Sequence, residues 1–240
     1  MTLGRPQDVE ESLSWGVDMN VVHGFRDGRQ TDAYIERVLD DVAADPGSDI
    51  FSRIATASLP ERDLTRAEKV GLASMVLTAG RAATVNLLAG ALWVLASRPD
   101  EQARLAADPA LVPSAVEEML RYLSPAPEMD RLVAGRAEGC PADRHVVVSF
   151  VSANYDDTIF SKPEVIDLGR SSNPHLAFGA GPHFCLGANL ARLEARLLIE
   201  EVLRASVRFA LDAEPRITWQ QVGDLVVPRD FESVPLVAHA

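Results

Sequence analysis

The chain is poor in cysteine: its 240 residues include two, Cys140 and Cys185. So few thiols exclude a disulfide framework and leave each cysteine to be judged by its surroundings. Aromatic residues are scarce at 6%, and cations run short, with 23 Lys and Arg against 35 Asp and Glu, a net charge of −12. That deficit argues against nucleic acid and against anionic membrane surfaces, where Lys and Arg supply most of the attraction. Internal repeats and low-complexity tracts are missing. No signal-peptide pattern opens the sequence, so a cytoplasmic protein is expected. Uninterrupted long apolar runs are missing too. Residues 72–96 have the length to cross a bilayer, but Arg81 sits near their middle, with Thr78, Thr84 and Asn86 adding polar groups. A charge at that depth is costly in lipid, so a buried central helix is expected and no membrane.

What is present is Ala, Leu and Val, in a chain that is 47% apolar. That is a helix-rich composition, long enough to bury a core as one domain. The region 1–60 reads as short helices with turns between them. Gln7 to Met19 is a modest helix candidate, with a break at His23-Gly24. Asp32 to Ala44 carries Ala33, Ile35, Val38, Leu39 and Val42 at helical spacing. Asp45 to Ser48 is a turn, and Asp49 is placed to cap a short helix through Ile54. Thr65-x-x-Glu68 is a capping box that opens the long helix over 64–96. Asp100 to Ala107 and Ser114 to Leu123 follow, each after a proline. Glu118 and Arg121 lie three apart on one helix face, where the default is an exposed pair worth a few tenths of a kcal/mol. After Pro125 and Pro127 the pattern turns to short strands at Asp130 to Val133 and His145 to Val151, separated by a polar turn around Gly139 to Arg144. A second long helix runs from Leu186 to Ala205. Strand candidates at Val207 to Leu211, Leu225 to Pro228 and Ser233 to Ala238 close the chain.

The stretch His175 to Arg192, HLAFGAGPHFCLGANLAR, carries the chemistry. Gly179, Gly181 and Gly187 let the backbone turn sharply and approach something flat or bulky. Cys185 sits where a helix begins, so the N–H groups and positive dipole end point back at the sulfur. That environment favours a thiolate ligand.

The pattern Phe178, Gly179, Gly181, His183, Cys185, Gly187 resembles the haem-thiolate loop of cytochromes P450. Asn173 to Gly179 is similar to the family's approach to that loop, and Glu118-x-x-Arg121 followed by Tyr122-Leu123-Ser124-Pro125 resembles its E-x-x-R helix. The long helix, with Ala79-Gly80, takes the place of the distal helix. The resemblance implies a mainly α fold with small β-sheets, the C-terminal part of the P450 fold, as a single truncated domain over 1–240. Within it, 1–60 would precede the distal helix (64–96), and 114–123 and 173–205 would form the proximal side. It implies haem b (iron protoporphyrin IX), with Cys185 as axial ligand on the iron, pushing electron density toward O–O cleavage. His183, His175 and Arg131 would face the propionates, Phe178 would shield the thiolate, and Gly80 would let the distal helix approach the haem. Glu118 and Arg121 become a buried structural pair.

Three departures from the family pattern bear on activity. The chain begins where the family is already under way, roughly a third of the fold being absent. The distal helix reads Ala79-Gly80-Arg81-Ala82-Ala83-Thr84, so the acid position holds Ala82 and the alcohol position holds Ala83. Thr84 is rotated by about 100° from that position, and Arg81 orients water or a carboxylate but yields no proton. These two are the candidate distal residues, for a proton relay that is defective. Third, Val165 stands where the family has an arginine completing the Glu118–Arg121 network.

The resemblance therefore implies an oxidoreductase, a monooxygenase or peroxide-driven oxidant of a small or carrier-bound organic substrate in secondary metabolism. A ferredoxin-type electron donor is implied, with a homodimer or partner chain over the open haem edge. Two alternatives stay open: a P450-derived helper that binds and activates a partner enzyme, and a haem-bound isomerase, dehydratase or cyclase.

Overall fold

Three capping features set the helix boundaries before any tertiary packing is considered. In the computed structural model, which describes residues 6–8, 10–11, 29–133, 144–205 and 208–239, all three are formed. Asp49 accepts from the Ser52 N–H at 3.0 Å. Thr65 and Glu68 close the capping box reciprocally, at 2.8 Å from the Thr65 N–H and 3.3 Å from the Glu68 N–H. Pro113 sits in the first turn of the E-x-x-R helix. The break at His23-Gly24, most of the Gln7–Met19 helix, Cys140 and nearly all of the turn around Gly139 lie outside the described residues.

The chain groups into two compact units, residues 1–82 and 83–240. In the first, α1 (Arg29–Ala44) and α2 (Ile50–Ala55) are followed by a two-residue hairpin of β1 (Ser58–Leu59) and β2 (Arg62–Asp63). The long α3 (Arg66–Ala96) starts here and ends in the second unit. Tyr34, Ile35, Val38, Leu39 and Val42 of α1 pack with Phe51 and Ile54 of α2 and with Ala73 and Leu77 of α3. The buried stripe thus holds Tyr34 and leaves Ala33 exposed, because the larger side chain gains more by leaving water. Thr65→Ala removes half of the capping box. It is expected to lower the stability of this unit by about 1 kcal/mol, read from urea unfolding, with a loss below about 0.3 kcal/mol counting against the cap.

The second unit contains α4 (Pro99–Ala107), α5 (Val112–Leu123), α6 (Phe150–Asn154) and α7 (Ala188–Arg204). Its strands make three antiparallel pairs. β3 (Glu128–Leu132) pairs with β4 (His145–Ser149), and β5 (Arg208–Leu211) with β8 (Leu236–His239); β6 (Arg216–Val222) pairs with β7 (Leu225–Ser233). The sequence pattern missed β6 because Thr218, Gln220 and Gln221 interrupt its apolar alternation. Trp219 nonetheless meets Trp93 edge-on, with centroids 6.2 Å apart. The core runs through Leu87, Ala91, Val94 and Leu95 of α3, through Leu105, Val116, Met119, Leu120 and Leu123, and through Ala195 and Ile199 of α7.

The expectation of a buried central helix holds for the C-terminal third of α3, whereas before it Ala73 and Leu77 are the buried positions. Met75 is 57% and Val85 51% exposed. Only 22% of the helix's most apolar window is buried, in the one described helix long and apolar enough to span a membrane. α7 buries mainly small residues and leaves Leu190, Leu193 and Leu197 exposed along one face.

Candidate functional site

Glu118 and Arg121 of α5 are both fully buried, side chains at 0% exposure. Arg121 donates from Nε and Nη2 to the two oxygens of Glu118, at 2.8 and 2.9 Å. Its remaining donors reach the carbonyls of Asn154, Pro163 and Val165 at 2.8, 2.9 and 3.3 Å, so all the N–H groups of the fork have acceptors. Glu118 also accepts from the Asp167 N–H, Arg170 Nε and Asn173 Nδ2, at 2.9, 3.0 and 3.0 Å. This corrects the expectation at Val165: the second arginine of the network is Arg170, five residues later. Val165 contributes its carbonyl, which accepts from Arg121 and Arg170. Spacing in sequence could not reveal this, since a loop carries no fixed period.

The segment from Asn173 to Gly187 leaves this network and forms the cysteine loop. Asn154, fully buried, accepts from the Leu176 N–H at 2.7 Å and donates to Ser124 at 2.9 Å, anchoring the loop's start. Gly179 and Gly181 take φ of +68° and +72°, the left-handed conformation that an L side chain rarely adopts. They fold the backbone so that the Cys185 N–H donates to the Phe178 carbonyl at 3.0 Å. Gly187 precedes α7, and a Cβ there would stand 3.9 Å from Cys185 Sγ. Cys185 is a free, exposed thiol between Phe184 and Leu186, which are 51% and 85% exposed. Two large apolar side chains held in water beside a free thiol mark a surface built to be covered.

Glu117, next to Glu118, points to the other side of α5. Arg192 grips it with Nε and Nη2 at 2.7 and 2.9 Å, and the ring of His175 bonds to it at 3.0 Å. Burial alone would raise the Glu117 pKa, but the hydrogen bonds and charges of His175 and Arg192 outweigh it and hold it to about 2. Arg192 also lies over the Phe178 ring, 4.5 Å from its centroid. The Ala177 N–H donates to His175 Nδ1 at 3.2 Å, so Nε2 carries the proton that goes to Glu117. His175 therefore has no donor left for a propionate, and its side chain is 3% exposed. In this structure both of its ring nitrogens are engaged within the protein. The sequence signal for this cluster was present in the paired Glu117-Glu118, since adjacent helical residues face about 100° apart and serve two partners.

The other expected residues are placed separately. His183 is exposed in the turn Gly181–His183, its ring without a hydrogen-bond partner among the described residues. Arg131 is half-buried in β3, with Nη1 on the Asp130 carbonyl at 2.8 Å. Phe178 packs between His175 and Phe184, at centroid distances of 6.0 and 6.2 Å. Gly80, Arg81 and Thr84 are half-buried positions of α3. Around the β3–β4 pair, Leu132 and Val147 are 61% and 58% exposed. Among the described residues no group of three or more His, Cys, Asp or Glu is placed to hold a metal ion.

Comparison with known proteins agrees with this arrangement. The family model described as Cytochrome P450 matches residues 109–227, from before α5 to β7. A curated relative, the putative cytochrome P450 126 of Mycobacterium tuberculosis, is 41% identical over 181 residues, covering 71% of this chain and 44% of that protein. Among solved structures, the Bacillus subtilis bacillaene polyketide synthase cytochrome P450 PksS superposes with a TM-score of 0.82 at 29% identity, over 98% of this chain and 63% of its own. CYP109E1 of Bacillus megaterium, crystallised with testosterone, gives 0.79 at 30% identity over 98% and 67%. The chain spans about half the length of the curated relatives it matches, 44% and 56% of two of them. With a shared sequence pattern and a shared backbone over nearly all of its length, the chain belongs to the cytochrome P450 family.

Proposed function

We propose that this chain carries a haem-thiolate centre that oxidises a small or carrier-bound organic substrate, with Cys185 as the ligand. The family binds haem b through a cysteine thiolate. The observation that carries the reading is the exposed Cys185 thiol, flanked by exposed Phe184 and Leu186 and held by a loop with two left-handed glycines. A flat apolar group fits such a surface, and a soft sulfur donor fits iron. When bound, haem supplies redox and oxygen-activating chemistry. The protein side of that chemistry falls to a few residues. The Phe178 carbonyl, by accepting the Cys185 N–H, holds the backbone at the sulfur. Among the described residues, His183 and Arg131 keep N–H donors without an acceptor, available for carboxylates. Exposed side chains such as Val147 and Leu132 exclude water once covered.

On the distal helix, Ala82 and Ala83 hold no proton and order no water. Thr84 points elsewhere on the helix by about 100°. Proton delivery is therefore slow, and reducing equivalents are lost without product. Installing Asp and Thr by Ala82→Asp with Ala83→Thr is expected to raise the rate of product formation with a ferredoxin-type donor by about 10²-fold, the low end for positioned general acids, and to raise product formed per reducing equivalent. Turnover with a ferredoxin-type donor against turnover with peroxide reads it, because peroxide brings its own protons and electrons. Equal product yield in both proteins with the donor would sink the defective-relay reading.

The same two alanines favour a second reading, in which the haem serves an isomerase, dehydratase or cyclase, or the chain activates a partner enzyme. A carrier-bound substrate of secondary metabolism draws support from the neighbour named for a polyketide synthase. The deciding experiment for the centre itself is the spectrum of reduced protein with carbon monoxide. A red-shifted thiolate–CO band is expected. Protein that stays haem-free after expression with excess haem precursor would overturn the haem-centred readings and leave the helper.

A further inference from the structure

Every residue from Gly181 to Gly187 is exposed, so burial does not hold the sulfur in place. Something else must fix the loop. Both of its ends reach one carboxylate: His175 at the start and Arg192 at the finish each bond to Glu117. Between them, the Arg192 guanidinium lies on Phe178, whose carbonyl takes the Cys185 N–H. The physical chain runs from α5 through Glu117 and Arg192 to the aromatic ring and on to the cysteine backbone.

We propose that Glu117 is the positioning residue for the Cys185 sulfur, closing the loop as a clamp and neutralising the Arg192 guanidinium stacked on Phe178. The clamp is a matter of geometry, whereas its bearing on the sulfur's chemistry rests on the haem-thiolate reading. Two consequences separate it from a merely structural acid. A bidentate fork on a carboxylate is directional, so losing it frees both loop ends together. The charge also matters, because the Arg192 guanidinium lies on Phe178, the residue whose carbonyl accepts the Cys185 N–H. Without Glu117, the cation is left uncompensated near the sulfur, where it draws electron density from the thiolate and disfavours the more positive oxidation state of a bound iron.

The test uses the full chain, wild type beside Glu117→Gln and Glu117→Asp. Amide exchange at Gly179 and Cys185 is expected to quicken about tenfold or more in the Gln variant, with β6–β7 amides unchanged. The midpoint potential of the haem-loaded Gln variant should move positive, and the Asp variant, which keeps the charge, should recover most of that shift. Wild-type exchange and wild-type potential in Glu117→Gln would overturn the proposal, as would equal potentials for Gln and Asp. Should Glu117→Gln fail to fold, Arg192→Lys reads the same clamp: it keeps a cation but loses the fork, so loop exchange should quicken, and unchanged exchange overturns the proposal. A wild type without a thiolate–CO band defeats the haem reading alone, since the exchange arm still decides whether Glu117 holds the loop.

Discussion

Glu118→Ala is expected to cost about 3–5 kcal/mol, a large part of the roughly 5–15 kcal/mol that holds an ordinary domain folded. The reason is the charge left behind. Arg121 is fully buried and its Nε and Nη2 spend two bonds on Glu118, so removing the carboxylate strands a cation in the core. Arg170 and Asn173 lose their shared acceptor in the same step, as does the Asp167 N–H. The gain from the intact pair is smaller than that loss, because both ions were dehydrated to form it. The double variant Glu118→Leu with Arg121→Met should therefore lose less than the sum of the single variants. Urea unfolding followed by tryptophan fluorescence in a Trp15→Phe background would read the second unit, through Trp93 and Trp219. A loss below about 1 kcal/mol for Glu118→Ala would mean that the pair is not the keystone its burial implies.

Cys185→Ser should abolish the thiolate–CO band completely while leaving the fold intact. Serine keeps the size and backbone of the position, and the position is exposed, so stability should stay within about 0.5 kcal/mol of wild type. What is lost is the soft, ionisable sulfur. The combination decides between two kinds of cysteine. An inert buried cysteine would give a stability loss and no spectroscopic change, whereas a ligand gives the reverse. Cys140→Ser is the control and should keep the band. A band that survives in Cys185→Ser would end the assignment of that sulfur. Oxidative activity that survives without the band would favour the chain acting through a partner enzyme.

Much of the fold could be read from local pattern. The capping box at Thr65 and Glu68, the cap at Asp49 and the periodicity of α1, α5 and α7 depend on neighbours in sequence, and the helices formed within a few residues of the expected limits. The polar β6 escaped, because its order comes from pairing with β7 and from Trp219 meeting Trp93, both distant in sequence. The burial of Glu118 and Arg121 did not follow from their spacing. An i, i+3 ion pair looks the same on paper whether it faces water or the core, and only the family resemblance pointed inward.

The cysteine loop divides along the same line. Residue types alone determined that Gly179 and Gly181 permit a reversed backbone, that Cys185 precedes a helix, and that Ala82 and Ala83 carry no acid or alcohol. Those are properties of side chains and of their near neighbours. The tertiary structure decided which groups serve the loop. It set His175 onto Glu117, supplied from Arg170 the arginine that Val165 cannot provide, and set Arg192 against Phe178. The two bonds to Glu117 and Glu118 join residues more than fifty positions apart, and a hydrogen bond at 3 Å is set by where two elements pack, which no local period encodes.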